Sequence, residues 1–174
     1  VTGTDIHIPT LETERLRLRA PRRDDFERWA EFFASDRSTW ERGPLDRVRG
    51  YQTWAADVAL WTLRGYGAFG MDLRETGAYV GEVGIYEPEG FPQTELGWFV
   101  VPKAEGHGYA FEGARAVMAW ARATFGWGGL CSIIDPGNAR SIALARRLGG
   151  VHDPELPGID PGDLVFRYDL GAAA

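Results

Sequence analysis

The sequence predicts an α/β fold: a three-layer α/β/α sandwich around a mixed, mostly antiparallel sheet. Three observations carry this reading. Strand-length runs and helix-period segments follow the order β-α-α-β-β-β-α-β-α-β(-β). Two of the strands meet at Glu75-Thr76-Gly77, a turn short enough to make them a hairpin. A third strand ends at Pro102 and passes through a glycine-containing loop straight into a helix near Tyr109.

Taken in order, Thr13 to Arg19 alternates, with Leu16 and Leu18 on one side and Arg15, Arg17 and Arg19 on the other, a strand with one wet face. Asp24 or Asp25 is placed to cap a helix whose apolar positions are Phe26, Trp29, Phe32 and Phe33. Asp36 to Pro44 has turn residues and little periodicity. A second helix is expected from about Asp46 to Leu63, with Val48, Tyr51, Trp54, Ala55, Val58 and Trp61 on one stripe. Tyr66 to Leu73, Ala78 to Tyr86 and Gln93 to Val101 read as strands. The next helix, about Tyr109 to Phe125, turns Ala110, Ala114, Val117, Met118 and Ala121 to the core. Leu130 to Ile134 is a short apolar strand. It is followed by a turn at Asp135-Pro136-Gly137, a helix from about Asn138 to Leu148 stopped by Gly149-Gly150, and a last strand from Leu164 to Leu170. No repeat or linker divides the chain, so residues 1–174 are expected to form one domain with its core at about 11–170 and a frayed alanine tail.

Composition narrows the function. With 44% hydrophobic and 25% charged residues the chain has an ordinary globular balance. A net charge of −6 argues against a general nucleic-acid partner and is compatible with a cationic amine substrate. No apolar run approaches the roughly 18–20 residues of a bilayer span. The N-terminus lacks a basic-then-apolar signal pattern, and the single cysteine, Cys131, allows no intrachain disulfide. A cytoplasmic protein without a membrane partner is the expectation, as monomer or homodimer. His7, His107 and His152 have no metal-ligand spacing, so no metal is expected.

The loop Lys103-Ala104-Glu105-Gly106-His107-Gly108 carries the chemistry. Gly106 and Gly108 let the backbone approach a ligand closely, and the helix after them presents unpartnered N–H groups and its positive dipole end. That combination suits a phosphate or pyrophosphate. A dinucleotide fingerprint would need glycine where Phe111 stands, and a Walker loop would need Gly-Lys-Ser/Thr, which is absent. The run resembles the Arg/Gln-x-x-Gly-x-Gly/Ala pyrophosphate loop of the GCN5-related N-acetyltransferases, with Lys103 in place of Arg or Gln. Gly108-Tyr109-Ala110-Phe111-Glu112-Gly113-Ala114 and the opening Thr13-Glu14-Arg15-Leu16 are similar to runs of the RimJ/RimL-type branch. So is Asn138-Ala139-Arg140-Ser141, followed by Arg147-Leu148-Gly149-Gly150, which resembles that branch's Asn-x-x-Ser…Lys-Leu-Gly-Phe block.

The resemblance implies the acyl-CoA N-acyltransferase fold, acetyl-CoA or coenzyme A as co-substrate, and an amine acceptor. It implies a pyrophosphate held by the backbone of Glu105, Gly106, His107, Gly108, Tyr109 and Ala110, with Lys103 adding charge. Backbone groups of Phe99, Val100 and Val101 are expected to pair the pantetheine arm and meet the developing oxyanion. Such a transfer must also deprotonate an amine that is largely cationic at neutral pH. Glu95 is the first candidate for that base and Glu82 the weaker one. Glu112 suits the helix dipole rather than a phosphate. The family's frequent tyrosine acid falls at Ala145, so Ser141 is the remaining hydroxyl, able to hydrogen-bond the thiol, and Asn138 is expected near the pantetheine amides or a water. Cys131 reads as a small buried hydrophobe. The arginines of the first strand are assigned no catalytic role.

The implied activity is acetyl transfer to a primary amine, a protein N-terminus or a small molecule, by direct attack in a ternary complex. The alternative is an impaired acyl-CoA-binding or sensing domain, suggested by Ala145 and Gly150. Substrate choice is expected from the first two helices and the segment joining them, where Trp40, Tyr51, Trp54 and Trp61 lie, and from the loop near Glu87 to Phe91.

Overall fold

The computed structural model describes residues 6–171; the expected frayed tail at 172–174 and the first five residues lie outside the described residues. Eight strands form one sheet: β1 Leu11–Glu12, β2 Leu16–Arg19, β3 Ala68–Leu73, β4 Tyr79–Tyr86, β5 Glu95–Val100, β6 Gly129–Ile134, β7 Val151–His152 and β8 Leu164–Asp169. Their order is β1-β2-β3-β4-β5-β6-β8-β7, and every neighbouring pair is antiparallel except β5 with β6. The helices are α1 Asp25–Phe33, α2 Arg47–Leu63, α3 Tyr109–Phe125 and α4 Ala139–Arg147. The expected mixed, mostly antiparallel three-layer sandwich is therefore what the chain forms.

Alternation along the strands sorts the two faces. Met71, Val83, Ile85 and Leu96 are fully buried in one cluster with Ala114, Val117 and Ala121 of α3 and Ala145 of α4. The opposite face carries Glu82, Gly84 and Tyr86 of β4 beside their partners Phe99, Gly97 and Glu95 of β5. There α1 and α2 pack through an aromatic cluster of Phe26, Trp29, Phe32, Trp54 and Phe99. Asp46 caps α2, accepting from Val48 and Arg49 N–H at 2.9 and 3.0 Å, which explains why that helix starts abruptly.

Two expectations change. The strand read over Thr13 to Arg19 begins only at Leu16, because Thr13 turns the chain: its N–H donates to the Leu16 carbonyl at 2.9 Å and its Oγ1 accepts from Leu16 N–H at 2.9 Å. The arginines do not share a wet face either. Arg17 is exposed and paired with Glu12, but Arg19 is 5% exposed and bonds Asp25 and Asp72 through Nε and both terminal nitrogens. A side chain at Gly70 would collide with that guanidinium, since a Cβ there would lie 2.2 Å from it. The aperiodic stretch after α1 also acquires form, as a 3₁₀ turn at Asp36–Glu41.

Candidate active site

The parallel pair β5–β6 is the structural break. It registers only at Glu95 opposite Cys131, and beyond that point the strands diverge. Side chains replace the missing ladder. Ser132 Oγ donates to the Leu96 carbonyl at 2.5 Å, Tyr168 OH donates to Ser132 Oγ at 2.9 Å, and Ile133 N–H donates to the Glu95 carboxylate at 3.3 Å. Val101 N–H is taken by the Val80 carbonyl on β4. Backbone groups alternate sides along a strand, so Phe99 and Val101 face β4 while Trp98 and Val100 present theirs to the opening. Of the expected edge Phe99, Val100 and Val101, only Val100 turns its backbone to the opening, together with Trp98.

The glycine loop lies at the mouth of this opening. Gly106 and Gly108 have φ of +79° and +80°, a region costly for any residue with a Cβ. Gly108 stands at the N-cap of α3, and none of the backbone N–H groups from Gly106 to Phe111 finds an acceptor among the described residues. The loop is held from behind. Glu112 accepts from Thr13 Oγ1 at 2.6 Å, Arg15 N–H at 2.8 Å and Arg15 Nε at 2.7 Å, and Arg15 also donates to the His107 carbonyl at 2.9 Å. These donors hold the Glu112 carboxyl below the usual range against the opposing effect of its burial. Arg15 and Glu112 are therefore supports of the glycine loop. His107 folds back, its Nδ1 within 2.9 Å of the Glu105 carbonyl and its ring stacked on Tyr109.

A cleft of about 880 Å³ joins loop, opening and α4, within the range typical of small-molecule sites. Ser141 lines it from α4, and its N–H donates to the Asn138 cap at 3.1 Å. The Asn138 amide donates to Glu41 at 3.0 Å, so both ends of that side chain are engaged within the protein. Trp40 closes the cleft over Gly137, where a Cβ would sit 2.5 Å from the indole. Lys103 is exposed and does not line the cleft. The cationic side chains that do are Arg37, Arg140 and Arg147, and Glu105 pairs with both Arg37 and Arg140 across the mouth. Sequence reading misses Arg37 and Glu41, which lie in a stretch without periodicity. Arg140, inside the Asn-x-x-Ser run, could be found from that motif.

Behind the opening, on the α1–α2 face, the acids concentrate. Burial pushes Glu95 up to about 8, with Ile133 N–H opposing and Glu41 adding to the rise. Burial likewise raises Glu82 to about 8, Asp57 of α2 to about 7 and Glu41 to about 7. Cys131 is buried and its thiol is raised to about 12 by burial and by Glu95, which makes it a poor nucleophile. Ala145 is fully buried, as is Tyr168 of β8, whose hydroxyl bonds Ser132. Among the described residues, no His, Cys, Asp and Glu group is arranged to hold a metal ion, and no helix is long and apolar enough to cross a membrane.

A split parallel pair, an orphan-donor loop and a helix N-terminus beside it define an acyl-CoA-type transferase site. Residues 15–151 match the acetyltransferase (GNAT) domain family, and the chain belongs to that family of acetyl-CoA-using acetyltransferases. It is 43% identical to an acetyltransferase from Agrobacterium tumefaciens str. C58, with a TM-score of 0.90 over 97% of this chain and 98% of that one. It is 31% identical to the uncharacterized protein YkkB of Bacillus subtilis (strain 168) over 148 residues, 80% of this chain and 83% of the relative. The fold is also that of RimL, a ribosomal L7/L12 alpha-N-protein acetyltransferase solved with coenzyme A, at 16% identity and a TM-score of 0.70 over 92% and 98% of the two chains.

Proposed function

We propose that the protein moves an acetyl group from acetyl-CoA to a primary amine by direct attack in a ternary complex. The observation that carries this reading is the opening between β5 and β6 with unpaired backbone at Trp98 and Val100, set against a loop of orphan N–H groups. The strand edge suits the pantetheine amides, as one more strand would, and the loop suits the pyrophosphate. Arg37, Arg140 and Arg147 supply the positive charge expected of Lys103.

Glu95 is the proposed base. It stands where the opening begins, and a carboxyl near 8 is matched to taking a proton from an amine close to neutral pH. The amine nitrogen bonds the acetyl carbon, the carbon–sulfur bond breaks, and the amine proton passes to Glu95 directly or through one water. Ser141 then offers its hydroxyl to the departing thiolate, whose ordinary pKa of about 8.5 makes this the least demanding step.

Thiol release from acetyl-CoA, measured over a panel of small amines and short peptides with free N-termini, tests the reading. Turnover with any member supports it. Tight coenzyme A binding without turnover across the panel overturns it. A cytoplasmic setting is part of the same proposal.

A further inference from the structure

The charged side chains that line the cleft do not all cancel. Glu105 takes both Arg37 and Arg140, a trio that keeps one positive charge and leaves no free carboxylate. Arg147, at the C-terminal end of α4, lies over the Phe111 ring at 4.2 Å and adds a second cation. The carboxylate of the lining with no cationic partner among the described residues is Glu41, which is bonded to Asn138 at the opposite end of α4. That helix is nine residues long, so its ends lie about 13 Å apart at a rise of about 1.5 Å per residue. The cleft therefore has a positive end beside the glycine loop and a negative end beside the 3₁₀ turn.

Glu41 is held in place there. The Asn138 amide donates to its Oε1 at 3.0 Å, and Asn138 Oδ1 accepts from Ser141 N–H at 3.1 Å. One side chain thus separates the Glu41 carboxyl from the turn that carries the Ser141 hydroxyl. The second carboxyl oxygen accepts from no described residue. Arg42, next in sequence, bonds Asp160 and lies over Phe91 rather than pairing with it. Trp40 stands beside this carboxyl. Its ring rests on Gly137, the residue before Asn138, so two consecutive residues of the 3₁₀ turn grip two at the entry to α4. Trp54 and Trp61 are buried, whereas Trp40 is 47% exposed, and its indole neither stacks on another ring nor donates a hydrogen bond among the described residues. An open aromatic face beside an open carboxylate oxygen, both lining one cleft, suits an alkylammonium: the oxygen takes an N–H and the ring takes the charge.

We propose that Glu41 and Trp40 form the docking site of the acceptor, a primary alkylammonium that Glu41 holds and the Trp40 indole covers at the negative end of the cleft. The site adds no chemical step. Deprotonation stays with Glu95, and Glu41 fixes where the amine waits relative to the Ser141 end of the cofactor. A group without positive charge at this point leaves the Glu41 oxygen without its partner, and an anionic one is opposed by it. The proposal rests on the acetyl-transfer reading for the fate of the docked amine, and on Glu41 and Trp40 for its capture.

The test titrates 1-aminobutane and its uncharged counterpart 1-butanol into the protein–coenzyme A complex, followed by the indole N–H resonance that Trp40→Phe removes, and measures thiol release from acetyl-CoA with 1-aminobutane. Expected is binding of the amine at least about tenfold tighter than of the alcohol, as one charge-assisted hydrogen bond provides. Glu41→Gln keeps an oxygen for the Asn138 amide and removes only the charge. It should abolish that preference and raise KM about tenfold with kcat within about twofold, the mark of lost ground-state binding. Trp40→Ala should weaken amine binding by about threefold, with coenzyme A affinity as the check on folding in every variant. Amine binding of this kind without turnover would keep the docking site and overturn the acetyl-transfer reading. Equal binding of amine and alcohol, a preference untouched by Glu41→Gln in a protein that still binds coenzyme A, or a loss that falls on kcat with KM unchanged would overturn the docking proposal and leave acetyl transfer standing.

Discussion

The two sides of the opening are built from different materials. The proposed cofactor side is backbone: the free edge of β5 and six consecutive N–H groups after Glu105. The proposed acceptor side is side chain: Glu82 of β4 and Glu95 of β5, both raised by burial more than they are lowered by partners. A backbone site needs only small residues and the right φ, and tolerates change elsewhere. A side-chain site of raised acids has its chemistry exposed to single substitutions and to pH.

The comparison breaks most sharply at Gly108. Gly108→Val places a β-branched residue at φ +80° and disturbs the orphan donors, so coenzyme A affinity should fall on the order of 10²- to 10³-fold in calorimetry. Acceptor-side variants should leave that affinity close to wild type, and a large loss there would erase the distinction. Next comes Glu95→Gln, which should lower kcat/KM by roughly 10²-fold. For the parent protein, activity should rise with pH through about 8 as Glu95 loses its proton, and the variant should lose that limb. Ser141→Ala should cost about tenfold in kcat, in line with one modest hydrogen bond. If Ser141→Ala is nearly inactive while Glu95→Gln is not, the roles are reversed.

The smallest effect is on stability. Glu82 and Asp57 hold protons in the folded state up to about 8 and about 7, whereas an unfolded chain releases them near 4. The folded state binds more protons between those limits, so stability without ligand should fall as pH rises from about 5 to 8. Glu82→Gln should flatten the fall and raise the melting temperature at pH 8 by several degrees, at roughly 2–4 °C per kcal/mol. An unchanged pH slope would mean that the acids are solvated and the acceptor side is ordinary surface.

The same division governs what can be read from the chain. α3 is legible to the residue, because Gly108 and Gly126 bracket it and the motif is contiguous. Pro102 and the two loop glycines likewise announce the cofactor side. Which residues turn their backbone to the opening is not legible, since Phe99 and Val101 look the same as Trp98 and Val100 until the β4 register is known. Lys103 stands out in the motif, while Arg37, which does line the cleft, is brought near only by tertiary folding. Arg19 reads as solvated because nothing local reveals Asp25 and Asp72 closing around it. Glu82 and Glu95 are noticeable singly, but Asp57 looks like an ordinary member of a helix.

Ser132, Tyr168 and Glu95 pin the point where β5 and β6 part. The separation is therefore complete before any ligand arrives, and the work of parting two strands belongs to folding. Cofactor capture is then a single encounter with a finished groove. Observed association rates should climb in proportion to coenzyme A concentration without levelling off, and Ser132→Ala, which loosens the pin, is the change that would introduce a plateau.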